Sequence, residues 1–577
     1  MEYAQDRFMA EVREVLATRG GLAPSSIDLV SPPAHVNADL TLPTFSSAAT
    51  MRTNPVECAT RLRDLIVSAP PPLVGRVEAT GPYLNFQVAP VGYTWAVLDD
   101  VARLGDSYGD DATIGAGRTA VVDYSSPNVA KRMHVGHIRS TIIGHAIVRI
   151  LAALGWHTVG INHLGDWGKS FGVLCAAIEE AGFPSDDEDV LAQLEALYAG
   201  YASRMVENAA LDEAARSWSL RLEHADPVAV DVRERVIALT CAANRANYES
   251  LGVRFDHEFG ESHYQPLFDE VTQDALDAGI ARADEDGAVV VDLGDGMPTF
   301  LLRRTDGGTL YHTRDLAAIK YRVGRFGPAA IVYVVGEPQI LHFRQLFELA
   351  RRLGYVPDTE LTHVPFGTIS DADGHALSTR RGNMVYLDSL LRDATARART
   401  VIDGRSDALP IAERARMAHA VGVGAVVYND LFQPPGRNIA LDWDRMLATE
   451  GNSGPYAQYM HARCHSILRR ARDLDDVDTT CGDDTRVLTH PSELALVTQI
   501  ARLPEAVRHA GRTHEPFRIT DWVFACAQAT AAFYRDCPVL TATTLPERLA
   551  RLELLRATAT ALRKGLHLVG LEAPERM

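Results

Sequence analysis

The sequence predicts a multidomain α/β plus α protein with three parts. These are a small α+β domain at residues 1–112, a Rossmann-type α/β domain at 113–395 and an α-helical bundle at 396–577. The chain has 577 residues, which is too long for a single hydrophobic core. A strand, a turn, a helix and a second strand follow one another at residues 119–162, which is typical of a doubly wound sheet. After residue 388 nearly all apolar residues follow helical spacing.

The N-terminal part mixes helical and strand patterns. Helical spacing occurs at residues 5–17 and 54–68, and short strand-like segments occur at 77–80 and 83–88. A glycine-rich stretch at 105–117 marks the boundary with the next domain. We therefore expect a small, separately packed α+β domain.

The central part begins with a predicted βαβ unit. Residues 119–124 (TAVVDY) are typical of a buried strand. Helical spacing at 138–154 ends at Gly155, a residue that favours helix C-termini. Residues 158–162 then predict the next strand. A helix between two strands in this order predicts a parallel sheet.

A charged helical segment interrupts this sheet. Residues from about 176 to 248 have helical spacing and no strand pattern, so we expect a helical insertion. Strand patterns return at 288–293 and at 329–335. The remaining chain then predicts the C-terminal helical bundle.

Composition narrows the class of protein. Apolar residues make up 46% and charged residues 23% of the chain, as in soluble globular proteins. No apolar run is long enough to span a membrane, and the start of the chain lacks the pattern of a signal peptide. The seven cysteines are scattered without any CxxC pair. We therefore expect a cytoplasmic protein with reduced thiols, no structural zinc and no membrane partner.

The net charge of −18 argues against indiscriminate nucleic-acid binding, although local patches decide docking. One basic cluster lies in the C-terminal part, and it comprises Arg463, His465, Arg469, Arg470 and Arg472. For any single cluster of this kind, a solvated helix face is the favoured interpretation.

The stretch SSPNVAKRMHVGH at residues 125–137 predicts a phosphate-binding turn. It follows a strand and precedes a helix, so His134, Gly136 and His137 lie at the positive end of a helix. Imidazole N–H groups can donate to phosphate oxygens, and glycine lets a purine approach the backbone. An HxGH tetrapeptide alone is weak evidence for phosphate binding, since histidines in turns often only form hydrogen bonds with the backbone. The preceding strand and the following amphipathic helix make the prediction of phosphate binding strong.

Lysine usage adds to this pattern. The chain has only four lysines, at positions 131, 169, 320 and 564, and otherwise uses arginine. Lys131 falls inside the predicted phosphate-binding turn. A lysine where arginine is the rule indicates a need for a compact ammonium group.

SSPNVAKRMHVGHIRSTIIG followed by INHLGDWGKSFG resembles the arginyl-tRNA synthetases, class I enzymes with a HIGH-type motif. The resemblance continues in the same order to the end of the chain, through GESHY, TLYHTRDLAAIKYR, VVGEPQILHFRQ, HVPFGTIS, FQPPGRNIALDWDRML, EGNSGPYAQYMHAR and the terminal APERM. It implies a class I catalytic domain and a C-terminal anticodon-binding domain. It also implies that His134, Gly136 and His137 bind ATP, together with Gly336 and His342.

The resemblance implies six arginine-binding residues: Ser125, Asn128, Glu261, Tyr311, Asp315 and Gln339. A guanidinium group needs planar acceptors in fork geometry, which carboxylates supply. Tyr311 lies one helical turn before Asp315, so both can face the same pocket. Taken singly, Asp315 could instead be an ion-pair partner of Arg314 or Lys320, and Tyr311 a core aromatic.

The second class I motif, KMSKS, is where the sequence departs from the family. In the matching loop, at 370–385, the first lysine position holds Ala376 (or His375 if the loop shifts by one) and the second holds Arg380. The resemblance implies that Ser378, Arg380 and Arg381 contact the phosphates, and that Lys131 supplies the missing ammonium. We therefore assign Lys131 and Arg380 to catalysis with the two histidines. Ser170 is a further departure, since glutamine is common there in the family.

Four residues are candidates for tRNA contacts. In the C-terminal domain, Tyr456 and Tyr459 could stack on anticodon bases, as aromatic side chains do on single-stranded RNA. The resemblance places Met577 at the anticodon and the N-terminal domain at the tRNA elbow. There Asn85 is the candidate for a base contact, although the neighbouring aromatic residues could equally be core.

Together these features predict an arginine–tRNA ligase that uses ATP with Mg²⁺, binds L-arginine and tRNA-Arg, and acts as a monomer. One alternative is a specialised or drug-resistant duplicate that activates arginine or an analogue, which Ala376 and Ser170 motivate. Another is a non-catalytic tRNA-binding protein, which the intact HVGH motif disfavours. A third alternative, a small nucleotidyltransferase with an HxGH motif, is disfavoured because such an enzyme does not need the helical C-terminal third of this chain.

Overall fold

The computed structural model describes residues 2–33, 35–184, 189–294, 296–371, 374–375, 377, 385–404, 409–473 and 487–577.

The N-terminal domain is a three-stranded antiparallel sheet with helices around it. Its elements are α1 (Ala4–Thr18), β1 (Leu40–Pro43), α2 (Phe45–Met51), α3 (Pro55–Val67), β2 (Val74–Thr80), β3 (Tyr83–Val88), α4 (Pro90–Leu104) and α5 (Ala112–Gly115). The strand order is β1-β3-β2. Local sequence fixes the start of α3, because the Asn54 side chain accepts the Glu57 N–H at 2.8 Å and Pro55 occupies the first turn.

The central domain contains a helical insertion and two sheets. Its elements are β4 (Thr119–Asp123), α6 (Val135–Ala153), β5 (His157–Leu164), α7 (Lys169–Ala181), α8 (Val190–Met205), α9 (Ala209–Glu223), α10 (Pro227–Leu251), β6 (His257–Gly260), α11 (Phe268–Asp277), β7 (Ala281–Ala283), β8 (Val289–Val291), β9 (Phe300–Arg303), α12 (Tyr311–Phe326), β10 (Ala330–Gly336), α13 (Ile340–Arg352), β11 (Glu360–Phe366) and β12 (Ile369–Ser370).

The main sheet has five parallel strands in the order β11-β10-β4-β5-β6. Val121 and Val122 of β4 and Ile331 and Val332 of β10 are fully buried, as strands covered on both faces require. The chain passes from β4 to β5 on one side and later places β10 on the other. The carboxyl ends of β4 and β10 therefore flank the switch point, where doubly wound sheets bind their ligands.

The insertion between β5 and β6 consists of α7 to α10, as the sequence predicted, and its described residues form no strand. The strand expected at 288–293 is present as β8. It pairs with β7 and β9 in a separate antiparallel sheet and not with the main sheet.

The C-terminal domain is helical. Its elements are α14 (Leu387–Asp403), α15 (Ile411–Leu431), β13 (Ile439–Ala440), α16 (Trp443–Met446), α17 (Gly454–Arg472), α18 (Pro491–Ala501), α19 (Leu503–Thr513), α20 (Phe517–Asp536) and α21 (Leu545–Leu568). Helix α14 packs along α15 and runs through the boundary that the sequence suggested between residues 395 and 396. We therefore propose that the boundary lies before α14, at about residue 386.

Buried and half-buried ion pairs connect the three domains. Arg139 of α6 donates from Nε to Asp430 of α15 at 3.0 Å, and both side chains are almost completely buried. Arg508 of α19 binds Asp6 and Asp111 of the N-terminal domain, at 2.7 and 2.8 Å. The helix that carries the histidine motif is thus anchored directly to the C-terminal domain.

The predicted fold class is confirmed: a Rossmann-type domain with a helical insertion, an α+β N-terminal domain and a C-terminal helical bundle. Six cysteines are free thiols, and Cys481 lies outside the described residues. Among the described residues, no helix is long and apolar enough to cross a membrane.

Candidate active site

The turn after β4 has a strained backbone. Ser125, Ser126 and Ala130 have φ angles of 73°, 50° and 59°, which residues with a Cβ atom rarely adopt. Side chains from neighbouring elements hold the turn. Ser140 accepts the Ser125 N–H at 2.9 Å, and Asn162 accepts the Ser126 N–H at 3.1 Å. The site is therefore built on a turn whose shape the surrounding fold imposes.

The two motif histidines cap helix α6. His134 is the N-cap residue, and its Nδ1 accepts the N–H of Gly136 at 3.1 Å. Nδ1 of His137 accepts the N–H of His134 at 3.1 Å, and the ring centroids are 3.9 Å apart. The helix begins at Val135, earlier than the spacing predicted, because this reciprocal cap satisfies its first N–H groups.

These hydrogen bonds determine what the imidazoles can do. Since each Nδ1 accepts a backbone N–H, the ring proton of the neutral form lies on Nε2. Burial lowers the pKa of His134, helped by the charge of Lys131. Burial also lowers the pKa of His137 to about 3, with further contributions from His134 and Lys131. Both rings are therefore neutral Nε2–H donors at physiological pH.

The end of the KMSKS-like loop contacts this turn. Val135 donates its N–H to the carbonyl of Val385 at 3.0 Å, and Leu387 donates to the carbonyl of Met133 at 2.9 Å. Tyr386 lies in an antiparallel bridge with His134. The exit of the loop is therefore part of the site. Ala376, Ser378, Arg380 and Arg381 lie outside the described residues.

A small cavity of about 120 Å³ lies beside the turn. It brings together four residues singled out from the sequence, which are Asn128, Lys131, Glu261 and Tyr311, and also the departing residue Ser170. The cavity thus combines a carboxylate, an amide and a phenol, which are the groups that a cationic amino acid needs.

Glu261 is nearly buried and already has a cationic neighbour. Nη1 of Arg314 lies 3.1 Å from its Oε2. Burial raises the pKa of Glu261 to about 8; Arg314 opposes this, whereas Asp315 adds to it. A second guanidinium that enters the cavity would therefore favour the ionised form.

The structure does not place Asp315 in the lining of this cavity. Its Oδ2 accepts Nε2–H of His342 at 2.6 Å, and His163 lies 3.8 Å from Oδ1. Burial alone would raise the pKa of Asp315, but the bond from His342 and the nearby cations lower it overall. Tyr311, 64% exposed, lies at the cavity wall instead. The expectation that Tyr311 and Asp315 face one pocket stays a prediction, since the Asp315 carboxylate here bonds His342.

The remaining predicted residues lie around the carboxyl end of the sheet. Gly336 ends β10, and Gln339 is exposed at the start of α13. Ser125 is buried, and its Oγ lies 2.9 Å from the hydroxyl of Tyr248, a residue of the insertion. Nε2 of His342 bonds Asp315 at 2.6 Å, and its predicted contact with ATP stays a prediction.

The four candidate tRNA-binding residues differ in accessibility. Asn85 is 8% exposed and accepts the hydroxyl of Thr41 at 2.7 Å. Tyr456 and Tyr459 are half-buried on α17. Met577 packs against a cluster at α14 and α15. Their proposed contacts with RNA stay predictions.

Sequence reasoning missed the contribution of the insertion. Tyr198 and Glu195 of α8 and Thr240 of α10 contact the turn at residues 130–132. Their spacing is that of any amphipathic helix, so the local pattern carried no signal for this role. Arg314 was considered only as a possible partner of Asp315, although it pairs with Glu261.

Comparisons with known proteins show the family to which the chain belongs. The family described as "tRNA synthetases class I (R), catalytic domain" matches residues 105–443, and "DALR anticodon binding domain" matches residues 457–577. The arginine–tRNA ligase of Chloroflexus aurantiacus is 51% identical over 578 residues, which cover 100% of both chains. The arginine–tRNA ligase of Frankia casuarinae is 37% identical over 590 residues and covers 98% of this chain and 97% of its own.

A solved structure shows the same fold. The arginyl-tRNA synthetase of Thermus thermophilus superposes with a TM-score of 0.80 at 24% identity, over 99% of this chain and 100% of the other. The sequence match to the catalytic family covers more than half of the chain, and relatives match it from end to end. The chain therefore belongs to the arginyl-tRNA synthetases of class I.

Proposed function

We propose that this chain is an arginine–tRNA ligase, which activates L-arginine with ATP and transfers it to the 3′-terminal adenosine of tRNA-Arg. The observation that carries the proposal is the position of the Glu261 cavity beside the capped histidine turn. A cationic amino acid in that cavity would lie near the two imidazole donors. Family membership makes ATP the nucleotide.

In the first step, a carboxylate oxygen of arginine attacks the α-phosphorus of ATP. The new P–O bond forms as the bond to pyrophosphate breaks, which gives arginyl-adenylate. Nε2–H of His134 and of His137 would donate to phosphate oxygens as negative charge develops there. Both imidazoles are neutral donors before the reaction, so neither has to be protonated first.

The leaving pyrophosphate needs positive charge, which we assign to Lys131 and to Arg380 and Arg381 of the KMSKS-like loop. Mg²⁺ would neutralise part of the phosphate charge. Among the described residues, no group of three or more His, Cys, Asp or Glu side chains is arranged to hold a metal ion. The phosphates themselves would therefore be the main ligands of Mg²⁺.

In the second step, the 2′-hydroxyl of the terminal adenosine of the tRNA attacks the carbonyl carbon of the adenylate, and AMP leaves. We propose that Asn85 contacts the elbow of the tRNA, and that Tyr456, Tyr459 and Met577 contact the anticodon. Asn85 is largely buried and its amide nitrogen donates to the hydroxyl of Thr80 at 3.4 Å, so a contact with a base would use the second hydrogen of that amide. We further propose that the enzyme is a cytoplasmic monomer.

For arginine recognition, we propose that Glu261 binds the guanidinium group, with Asn128 and Tyr311 at the cavity wall. Ser125 would act through the backbone of the turn, because its hydroxyl is held by Tyr248. Asp315 would take part if arginine displaces His342 from it, and Gln339 at the start of α13 is a further candidate. This exchange would couple arginine binding to the movement of a candidate ATP-binding histidine.

The test is aminoacylation of tRNA-Arg with labelled arginine, with lysine and citrulline as competing substrates. We expect charging with arginine and none with citrulline, because citrulline lacks the cationic group. Lys131→Met should lower charging and arginine-dependent pyrophosphate exchange by about 100-fold or more. Lys169→Met is the matched control, since Lys169 pairs with Asp212 of the insertion.

The outcomes separate the alternatives. Exchange without charging would favour a specialised duplicate of the enzyme, and tRNA binding without adenylate formation would favour a non-catalytic protein. Normal charging by the Lys131→Met variant would refute the role given to that lysine.

A further inference from the structure

Side chains of the helical insertion contact three consecutive residues, 130, 131 and 132, of the predicted phosphate-binding turn. The N–H of Ala130 is donated to Oγ1 of Thr240 at 3.0 Å. The N–H of Arg132 is donated to Oε1 of Glu195 at 2.7 Å. The N–H groups of the residues before and after Lys131 are therefore both bonded to side chains of the insertion.

The side chain of Lys131 is held by the same insertion. Its Nζ lies 5.0 Å from the centroid of the Tyr198 ring, which is within the range of a cation–π interaction. Tyr198 follows Glu195 by three residues, so both lie on one face of α8. The aromatic ring leaves the ammonium hydrogens free for a phosphate, which a carboxylate partner would not.

The same helix also reaches the exit of the KMSKS-like loop. Oε2 of Glu195 lies 3.5 Å from the hydroxyl of Tyr386, and the guanidinium of Arg132 lies 4.0 Å from the Tyr386 ring centroid. Nη1 of Arg132 is 3.6 Å from Asp189, which caps α8. Helix α8 therefore contacts both the turn that carries Lys131 and Tyr386, the residue that follows the KMSKS-like loop.

Thr240 fixes the backbone of the turn through a buried hydrogen bond. It is completely buried on α10, and its hydroxyl donates to the carbonyl of Val236 at 2.8 Å while it accepts the N–H of Ala130. The φ angle of Ala130 is 59°, so this peptide needs an external partner to keep its conformation. Lys131 follows directly, and its direction depends on that peptide.

We propose that the helical insertion is the device that positions the Lys131 ammonium for the triphosphate, with Tyr198, Glu195 and Thr240 as positioning residues. The proposal rests on the proposed function, in which Lys131 replaces a lysine of the KMSKS motif. It adds that the insertion, through α8, orients Lys131 relative to Tyr386, the residue after the KMSKS-like loop.

The test is a double-mutant cycle between Tyr198 and Lys131, measured by pyrophosphate exchange with tRNA-Arg present. Tyr198→Leu should lower kcat/KM for ATP by about tenfold, whereas Tyr198→Phe, which keeps the ring, should restore most of it. In the Lys131→Met background, Tyr198→Leu should change kcat/KM for ATP by no more than about twofold, because the ammonium group that the ring contacts is absent. The matched control is Tyr201→Leu on the same helix, whose ring lies near Arg204 and not near Lys131.

A second pair of variants tests the backbone contact. Glu195→Gln keeps an oxygen that can accept the Arg132 N–H, whereas Glu195→Ala removes it, so only the alanine variant should raise KM for ATP. Equal losses from Tyr198→Leu in both backgrounds, or no loss at all, would overturn the positioning role. Full exchange by Lys131→Met would overturn the role of Lys131 itself, and absence of exchange in the wild type would overturn the proposed function.

Discussion

Replacement of Arg139 by methionine should be among the most destabilising single changes in the catalytic domain. Its Nε donates to Asp430, and its two terminal nitrogens donate to the carbonyls of Arg437 and Pro435 at 2.8 and 3.1 Å. The variant would leave a buried carboxylate without its cation. Burial already raises the pKa of Asp430, which Arg139 opposes, and its Oδ2 has no hydrogen-bond partner among the described residues.

Breaking a buried ion pair by removing one partner costs about 3–5 kcal/mol. For a domain of this kind, that corresponds to a fall of about 6–20 °C in the midpoint of its unfolding transition. The assay is thermal unfolding followed by circular dichroism, with adenylate formation measured in parallel, because α6 carries His134 and His137 at its start. The control is Arg149→Met on the same helix. Among the described residues, Arg149 donates to the carbonyl groups of His567 and Gly252 and pairs with no carboxylate, so its loss leaves no such charge unpaired.

The double variant Arg139→Met with Asp430→Leu should recover much of the lost stability, since apolar replacement of both partners is often neutral or stabilising. If Arg139→Met unfolds within about 1 kcal/mol of the wild type, the account of this buried pair is wrong. The same conclusion follows if the double variant is less stable than Arg139→Met alone.

Three further predictions concern substrate binding, pH and domain docking. Glu261→Gln should raise KM for arginine in pyrophosphate exchange by about tenfold or more and leave KM for ATP little changed, since the lost group is the charged acceptor; equal changes in both would contradict this. Burial lowers the pKa of His145 to about 3, well below the unfolded value, so the unfolded chain binds more protons and stability must fall as pH decreases from about 6.5 towards 3. At pH 5 the loss of unfolding free energy from this histidine is at most about 2 kcal/mol. A His145→Gln variant, measured by denaturant unfolding, should lose less stability than the wild type over the same pH range. Arg508→Met should loosen the N-terminal domain and increase proteolysis near residue 112, because Arg508 binds both Asp6 and Asp111; an unchanged cleavage pattern would refute this.

Much of the fold could be predicted because its signals are local. The strand at 119–124, the helix after His134 and the strand at 158–162 were visible from spacing and side-chain type, and they became β4, α6 and β5. The start of α6 moved to Val135 because a reciprocal histidine cap satisfies its first N–H groups. The strand at 288–293 was found but not its partners, since the pairing of strands depends on long-range contacts.

The candidate site was predictable to a smaller extent. Its residue types followed from motifs in the sequence, but their pairing did not. Arg314 binds Glu261, a residue 53 positions away, and His342 binds Asp315 at a separation of 27. Such pairs depend on how elements dock, and no local pattern encodes that.

The sequence by itself determined the class of protein, the histidine turn and the order of the domains, because strand and helix spacing and motif order are properties of the chain. Only the tertiary structure decided which carboxylate lines the cavity, and that the insertion holds Lys131. The reason is physical, since a buried charge or a strained peptide takes whichever partner the packed elements bring within hydrogen-bond distance. Thr240 and Glu195 lie on different helices of the insertion, and only their docking brings both to the same turn.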